Sequence, residues 1–180
     1  MNRVLLAAVI SLLLAGCETP TTQRYGISAD NVQAIRALNT SGVGVGAFTS
    51  ATPFDSSCRA FGPMQVADGL THVEYIRRAF EDELKVAGAF ASSSPRIVLT
   101  GTINRLEFSS TRGLTGGSWT VELTLTSSNG KALDVKEYYE FKSGFGANEA
   151  CRNTAEAFSR AVQNVVGKAV GSAAFPSLVI

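Results

Sequence analysis

The chain has 180 residues, 45% hydrophobic and 17% charged, with 16 Lys and Arg against 15 Asp and Glu. This globular, nearly neutral balance excludes a disordered polyelectrolyte and argues against a nucleic-acid binder or a polybasic membrane-surface protein. One His excludes multi-histidine metal sites and leaves His-based catalysis a single candidate, while ten Phe, four Tyr and one Trp suffice for one core.

The first 16 residues read as an address and not as fold. Asn2-Arg3 is a short positive start, and Val4 to Leu14 is an apolar run broken only by Ser11. That run suits a signal-peptide core and is too short for a bilayer span of about 20 residues. Leu14-Ala15-Gly16-Cys17 then resembles the lipobox of bacterial lipoproteins. The resemblance implies that the Cys17 thiol takes a diacylglycerol and that cleavage frees its amine for a further acyl chain in Gram-negative species. Several chains make a stable anchor where one is marginal. Glu18, not Asp, follows, which by the same resemblance implies the periplasmic face of the outer membrane of a Gram-negative host. Arg3 is the only charge in residues 1–16, so the mature chain is formally neutral. Residues 17–28 are polar, contain Pro20, and read as a tether; 29–180 read as a single α+β domain.

Within the domain, Asp30 to Leu38 reads as a short helix capped by Asp30, with Val32, Ile35 and Leu38 on one stripe. Ser41 to Thr49 alternates Val43, Val45 and Ala47 with three glycines, as in a strand whose glycine face admits a close neighbour. No Gly-Lys-Ser/Thr follows those glycines, which argues against a phosphate loop. Residues 50–70 form a long loop, of the kind that often carries function. Thr71 to Glu74 is a capping-box pattern, opening a helix to Ala87 with Val73, Ile76, Phe80 and Leu84 inward and Gly88 as the stop.

Arg96 to Ser109 is β-rich, but its apolar parity changes after Ile103, which predicts a bulge near Asn104. Trp119, Val121, Leu123 and Leu125 alternate with polar residues, as in a half-buried antiparallel strand. Ser128-Asn129-Gly130 turns the chain into Leu133 to Lys142. A two-residue turn would put Leu125 opposite Asp134. A three-residue turn with Gly130 left-handed puts Leu125 opposite Leu133 and Glu122 opposite Lys136, and is the one expected. A last helix runs from about Glu149 to Gly171, capped by Asn148. The order β-α-β-β-β-α predicts a two-layer α+β sandwich: a mostly antiparallel four-stranded sheet with two amphipathic helices on one face.

Candidate chemical residues are few. His72, in the first helical turn, reads as exposed, although a helix N-terminus could hold it neutral for catalysis. Glu137 falls on an apolar parity, which suggests a buried carboxylate near a sheet edge or paired with an Arg. Tyr138 has the outward parity in an aromatic cluster with Tyr139 and Phe141, as one surface Tyr beside a core. Cys58 and Cys151 remain once Cys17 is lipidated. In an oxidising compartment a structural disulfide is the first reading; two buried thiols, or redox or metal chemistry, are the others.

Cys58-Arg59-Ala60-Phe61-Gly62-Pro63, Glu74-Tyr75-Ile76-Arg77, Gly113 to Trp119, Ser127 to Gly130 and Ala157-Phe158 to Gln163 together resemble a family of small proteobacterial lipoproteins of unknown function. The resemblance covers roughly residues 40–178 and implies no activity. No catalytic residue, metal site or cofactor is expected. The first functional expectation is a non-catalytic envelope module. It is tethered to the outer membrane through the lipid on Cys17 and binds a periplasmic protein or peptidoglycan. The alternative is a carrier of a small molecule or lipid in a pocket between sheet and helices, supported by the glycine-faced strand and the small residues of the last helix.

Overall fold

The structure is a computed structural model and describes residues 19–180. Cys17 and the signal-like run lie outside the described residues. The elements are α1 (Ala29–Ala37), β1 (Val43–Ser50), α2 (His72–Ala87), β2 (Ile97–Arg112), β3 (Gly116–Ser127), β4 (Ala132–Lys142), α3 (Ala147–Val170) and α4 (Pro176–Val179). The strands lie side by side in chain order, β1 parallel to β2 and the others antiparallel. The chain is therefore α+β with a mixed, mostly antiparallel sheet, as its pattern of elements indicates. Helix α2 packs on β1, and α3 crosses β2, β3 and β4.

Local chemistry explains most boundaries. Thr71 accepts a hydrogen bond from the Glu74 amide at 3.1 Å, and Glu74 accepts one from the Thr71 amide at 2.9 Å. Gly88 ends α2 in the left-handed region at φ 80°. In β2, Ile103 pairs with Leu123 but Arg105 pairs with Glu122, so Asn104 is the extra residue of a bulge. Leu125 lies opposite Leu133 and Trp119 opposite Tyr139, and Gly130 has φ +84°. The β3–β4 turn is thus the three-residue form. Trp119, Val121, Leu123 and Leu125 are all at most 1% exposed beneath the helices, roughly 1.5–3 kcal/mol for each large side chain.

Other boundaries differ from expectation. Ser28, not Asp30, caps α1, its hydroxyl accepting from the Asn31 amide at 3.4 Å. Gly146, not Asn148, precedes α3, and no side chain caps it. In β1 the inward parity breaks between Val45 and Phe48, so Phe48 is buried and Ala47 is exposed. The glycine face of that strand is occupied by the fold itself: a Cβ on Gly44 would lie 2.9 Å from the Pro95 ring. Small α3 residues are used similarly, since a Cβ on Gly167 would lie 2.9 Å from Asn31 Oδ1. Helix α4, too short for a periodic pattern, seals one end of the sheet through Ser127 and Asn129, which donate to the Leu178 and Ser177 carbonyls at 2.7 and 2.9 Å.

The described part of the expected tether is not free chain. Gln65 donates its amide to the Pro20 carbonyl at 2.8 Å, and Thr22 donates to the Gln65 carbonyl at 2.9 Å. The Tyr25 ring meets Tyr75 edge-on at 6.1 Å, and its hydroxyl donates to Glu83 at 2.7 Å. Polar composition suggested a linker; these residues instead supply the backbone and hydroxyl partners that loop 51–70 and α2 lack.

Candidate functional site

Strand β1 stops at Ser50, opposite Ile103, while β2 continues to Arg112. The outer part of β2 therefore has an edge with no strand beside it, and loop 51–70 fills that place. The loop is not structureless. Cys58 and Met64 donate to the Gly62 and Ser56 carbonyls at 2.9 and 2.8 Å, folding residues 56–64 on themselves. The bond between Cys58 and Cys151 ties it to the first turns of α3, with Cα atoms 5.8 Å apart. Arg59 adds a second tie, donating to the carbonyls of Ser110 at 2.5 Å and Phe145 at 3.0 Å.

Between this loop, β2 and the start of α2 is an open cleft of about 690 Å³, within the range of small-molecule sites. Phe54, Met64, Val66, Leu70, Val73 and Leu106 line it with apolar surface, and Gln65 and Thr71 add polar groups. The cleft lies at one end of the sandwich, with the sheet edge and the start of α2 as two walls and loop 51–70 as the third, and not in the space between the two layers. The space between the layers is filled by Trp119, Phe80 and Phe158, at most 2% exposed.

His72 forms part of the cleft wall and is not an exposed surface residue. Its ring lies 4.6 Å from Phe54 and 5.1 Å from Phe158, both edge-on, and 6.4 Å from Trp119. Burial among these apolar rings pulls its pKa from 6.5 down to about 4, so the ring is neutral at neutral pH. Its Nε2 is buried and finds no partner among the described residues. Phe54 covers the ring, and a loop residue 18 positions upstream leaves no trace in helical periodicity.

Glu137 is 3% exposed. It accepts from Asn164 Nδ2 at 2.8 Å and pairs with Lys168 Nζ at 2.6 Å, so its parity reflects a satisfied ion pair and not a reactive acid. Tyr138 faces outward under Arg112, 5.7 Å from the ring centre. Glu83 was not visible as special, yet it is fully buried. One of its oxygens accepts from Tyr25 Oη, the Ser28 amide and Asn31 Nδ2, while the other has no partner among the described residues. Burial, then the hydrogen bond to Glu83, pushes the Tyr25 hydroxyl pKa up. The available signal was position: Glu83 follows Ile76 and Phe80 at helical spacing, on the stripe that should be apolar. Among the described residues no cluster of three His, Cys, Asp or Glu could hold a metal, and no helix is long and apolar enough to cross a membrane.

No protein-family model and no curated protein matches the chain. Among solved structures, a Xanthomonas campestris protein of the DUF330 family is similar, with 18% identity and a TM-score of 0.47. That likeness covers 85% of this chain and 91% of the other. A Caulobacter crescentus protein, a lipoprotein by assignment, is similar over 79% of this chain and 90% of its own, with 12% identity and a TM-score of 0.44.

Proposed function

We propose that this chain is a non-catalytic, lipid-anchored domain of the cell envelope whose cleft binds an apolar small molecule or the acyl part of an amphiphile. Lipidation at Cys17, on the periplasmic face of the outer membrane, belongs to this reading and is supported by the lipobox-like sequence. The observation that carries the binding role is the cleft itself: about 690 Å³ of mainly apolar lining, roofed by a loop held through Cys58–Cys151. The absence of catalysis is supported by His72, whose Nε2 is packed out of solvent.

Titration of the mature protein with a naphthylamine dye tests the reading. The dye should bind with a blue-shifted emission, and Val73→Trp, which fills the cleft, should weaken binding about tenfold or more, since a blocked apolar pocket forfeits most of its buried area. Equal binding by both proteins would refute it. A second reading, an interaction module for a periplasmic protein or peptidoglycan, is supported by a different surface. A polar depression between α1, β4 and α3 presents Asp30, Tyr138, Arg160, Gln163 and Lys168 above the buried Glu137. These groups suit hydrogen bonding to a polar polymer.

A further inference from the structure

Two large apolar side chains stand in solvent at the cleft end of the sheet. Leu114, at the β2–β3 turn, is 79% exposed, and Phe145, between β4 and α3, is 77% exposed. They belong to one surface, because Ser143 and Gly144 both donate to the Thr115 carbonyl, at 2.8 and 3.1 Å. Neither contributes to the core, and neither is needed for its turn, which glycines on the flanks already permit. Isolated surface apolar residues are ordinary. These two are distinguished by where the chain enters.

Thr19, Pro20 and Thr21 lie in a shallow depression against Asn148 and Arg152, in the opening turns of α3 and a few residues from Phe145. Pro20 is fixed there by its hydrogen bond from Gln65. Cys17 is two residues before Thr19, so its Cα can be no more than about 7 Å away. A lipid on Cys17 cannot hold this domain at a distance from the bilayer. It must bring the surface around Thr19 to the headgroups.

We propose that the end carrying Leu114 and Phe145 is a membrane-contact surface, with both side chains inserted at the headgroup–acyl boundary of the periplasm-facing leaflet that anchors Cys17. This rests on the reading that Cys17 is lipidated. The occupant is lipid and not a protein partner because the entry point of the chain leaves no room for a protein between this face and the anchor. Nearby charges come in both signs: Arg112 pairs with Glu140, and Arg152 and Lys142 are accompanied by Glu149 and Glu156. Contact is therefore driven by apolar insertion and does not require anionic lipid.

The test uses the full lipidated protein reconstituted in phosphatidylcholine vesicles, with Leu114→Trp, Phe145→Trp and, at the opposite end, Asn129→Trp. Acyl chains brominated near their carbonyl ends quench only a Trp within reach. The Trp variants at 114 and 145 should each lose roughly half of the added emission, as expected for side chains seated at the headgroup–acyl boundary, and the one at 129 should lose none. Adding anionic lipid or salt should change neither result. If the protein floats with the vesicles but all three variants are quenched equally or not at all, the contact surface is wrong while the anchor stands. If the protein does not float, and mass spectrometry finds an unmodified Cys17, the anchor reading fails and the proposal fails with it.

Discussion

At one end of the sheet, β3 turns into β4 through three residues and α4 closes over the turn. At the other, β2 turns into β3 beside loop 51–70, the disulfide, the cleft and two exposed apolar side chains. The turn at the first end is set by short-range rules, and α4 docks on it through Ser127 and Asn129. Ser127 and Lys131 face each other across the turn, with the Ser127 amide donating at 2.8 Å, and Gly130 takes the one conformation that closes it. The second end is held by ties between residues far apart in sequence: 93 positions for Cys58–Cys151 and 86 for Arg59 and Phe145. At the end that carries the candidate site local hydrogen bonds fold residues 56–64, but only the disulfide and Arg59 fix that loop against α3 and β2. This end has room for a cleft because long-range links, not close packing, keep it in place.

The largest effect should come from cutting the long-range tie. Replacing both cysteines by Ala should destabilise the domain by about 4–5 kcal/mol in the chain-entropy model for a loop of 93 residues. Urea unfolding would measure it, and thiol titration of the unfolded, unreduced protein should find no free thiol at Cys58 or Cys151. A loss below about 1 kcal/mol would mean that the cleft end is held by packing after all.

Acid should act on the same end. Burial holds the His72 pKa at about 4 against an ordinary 6.5, so the fold favours the neutral ring. The unfolded chain then binds more protons between these values, and stability is lost as pH falls from 6.5 towards 4. The loss at this residue totals about 3 kcal/mol, and none is expected above pH 6.5. His72→Phe should flatten that part of the stability profile. An unchanged slope would place the acid sensitivity elsewhere.

The turn end should respond to a smaller, purely local change. Gly130→Val forces a β-branched residue to φ +84°, and should cost about 1–2 kcal/mol although no atom lies in the way of its Cβ. Dye binding in the cleft should be unaffected; if it weakens, the two ends are coupled. Smallest of all is the surface pair Lys136–Glu122, at 2.6 Å across β3 and β4. A double-mutant cycle should give about 0.2–1 kcal/mol, decreasing with salt, because Lys136 is two-thirds exposed.

The same contrast separates what was legible in the sequence from what was not. Parity alone located the bulge at Asn104, because a one-residue insertion shifts every later side chain to the other face. The capping box at Thr71 and the register of β3 on β4 are likewise neighbour effects, and the sequence spells them out. His72 and Glu83 are different. His72 is covered by Phe54 from a loop, and Glu83 is satisfied by Tyr25, Ser28 and Asn31 from a segment that reads as linker. Their surroundings are created by chain closure over 18 to 58 residues. No periodicity records that. The cleft was illegible for the same reason: its roof and its wall come together only when Cys58 meets Cys151 and Pro20 meets Gln65.

The claim that the cleft end is the working end is tested most directly by amide hydrogen exchange of the full mature protein, with and without a saturating naphthylamine dye. The account predicts slower exchange across residues 51–73 and β2 near Leu106, and no change at the β3–β4 turn or in α4. Protection spread equally over both ends, or confined to the turn end, would contradict it.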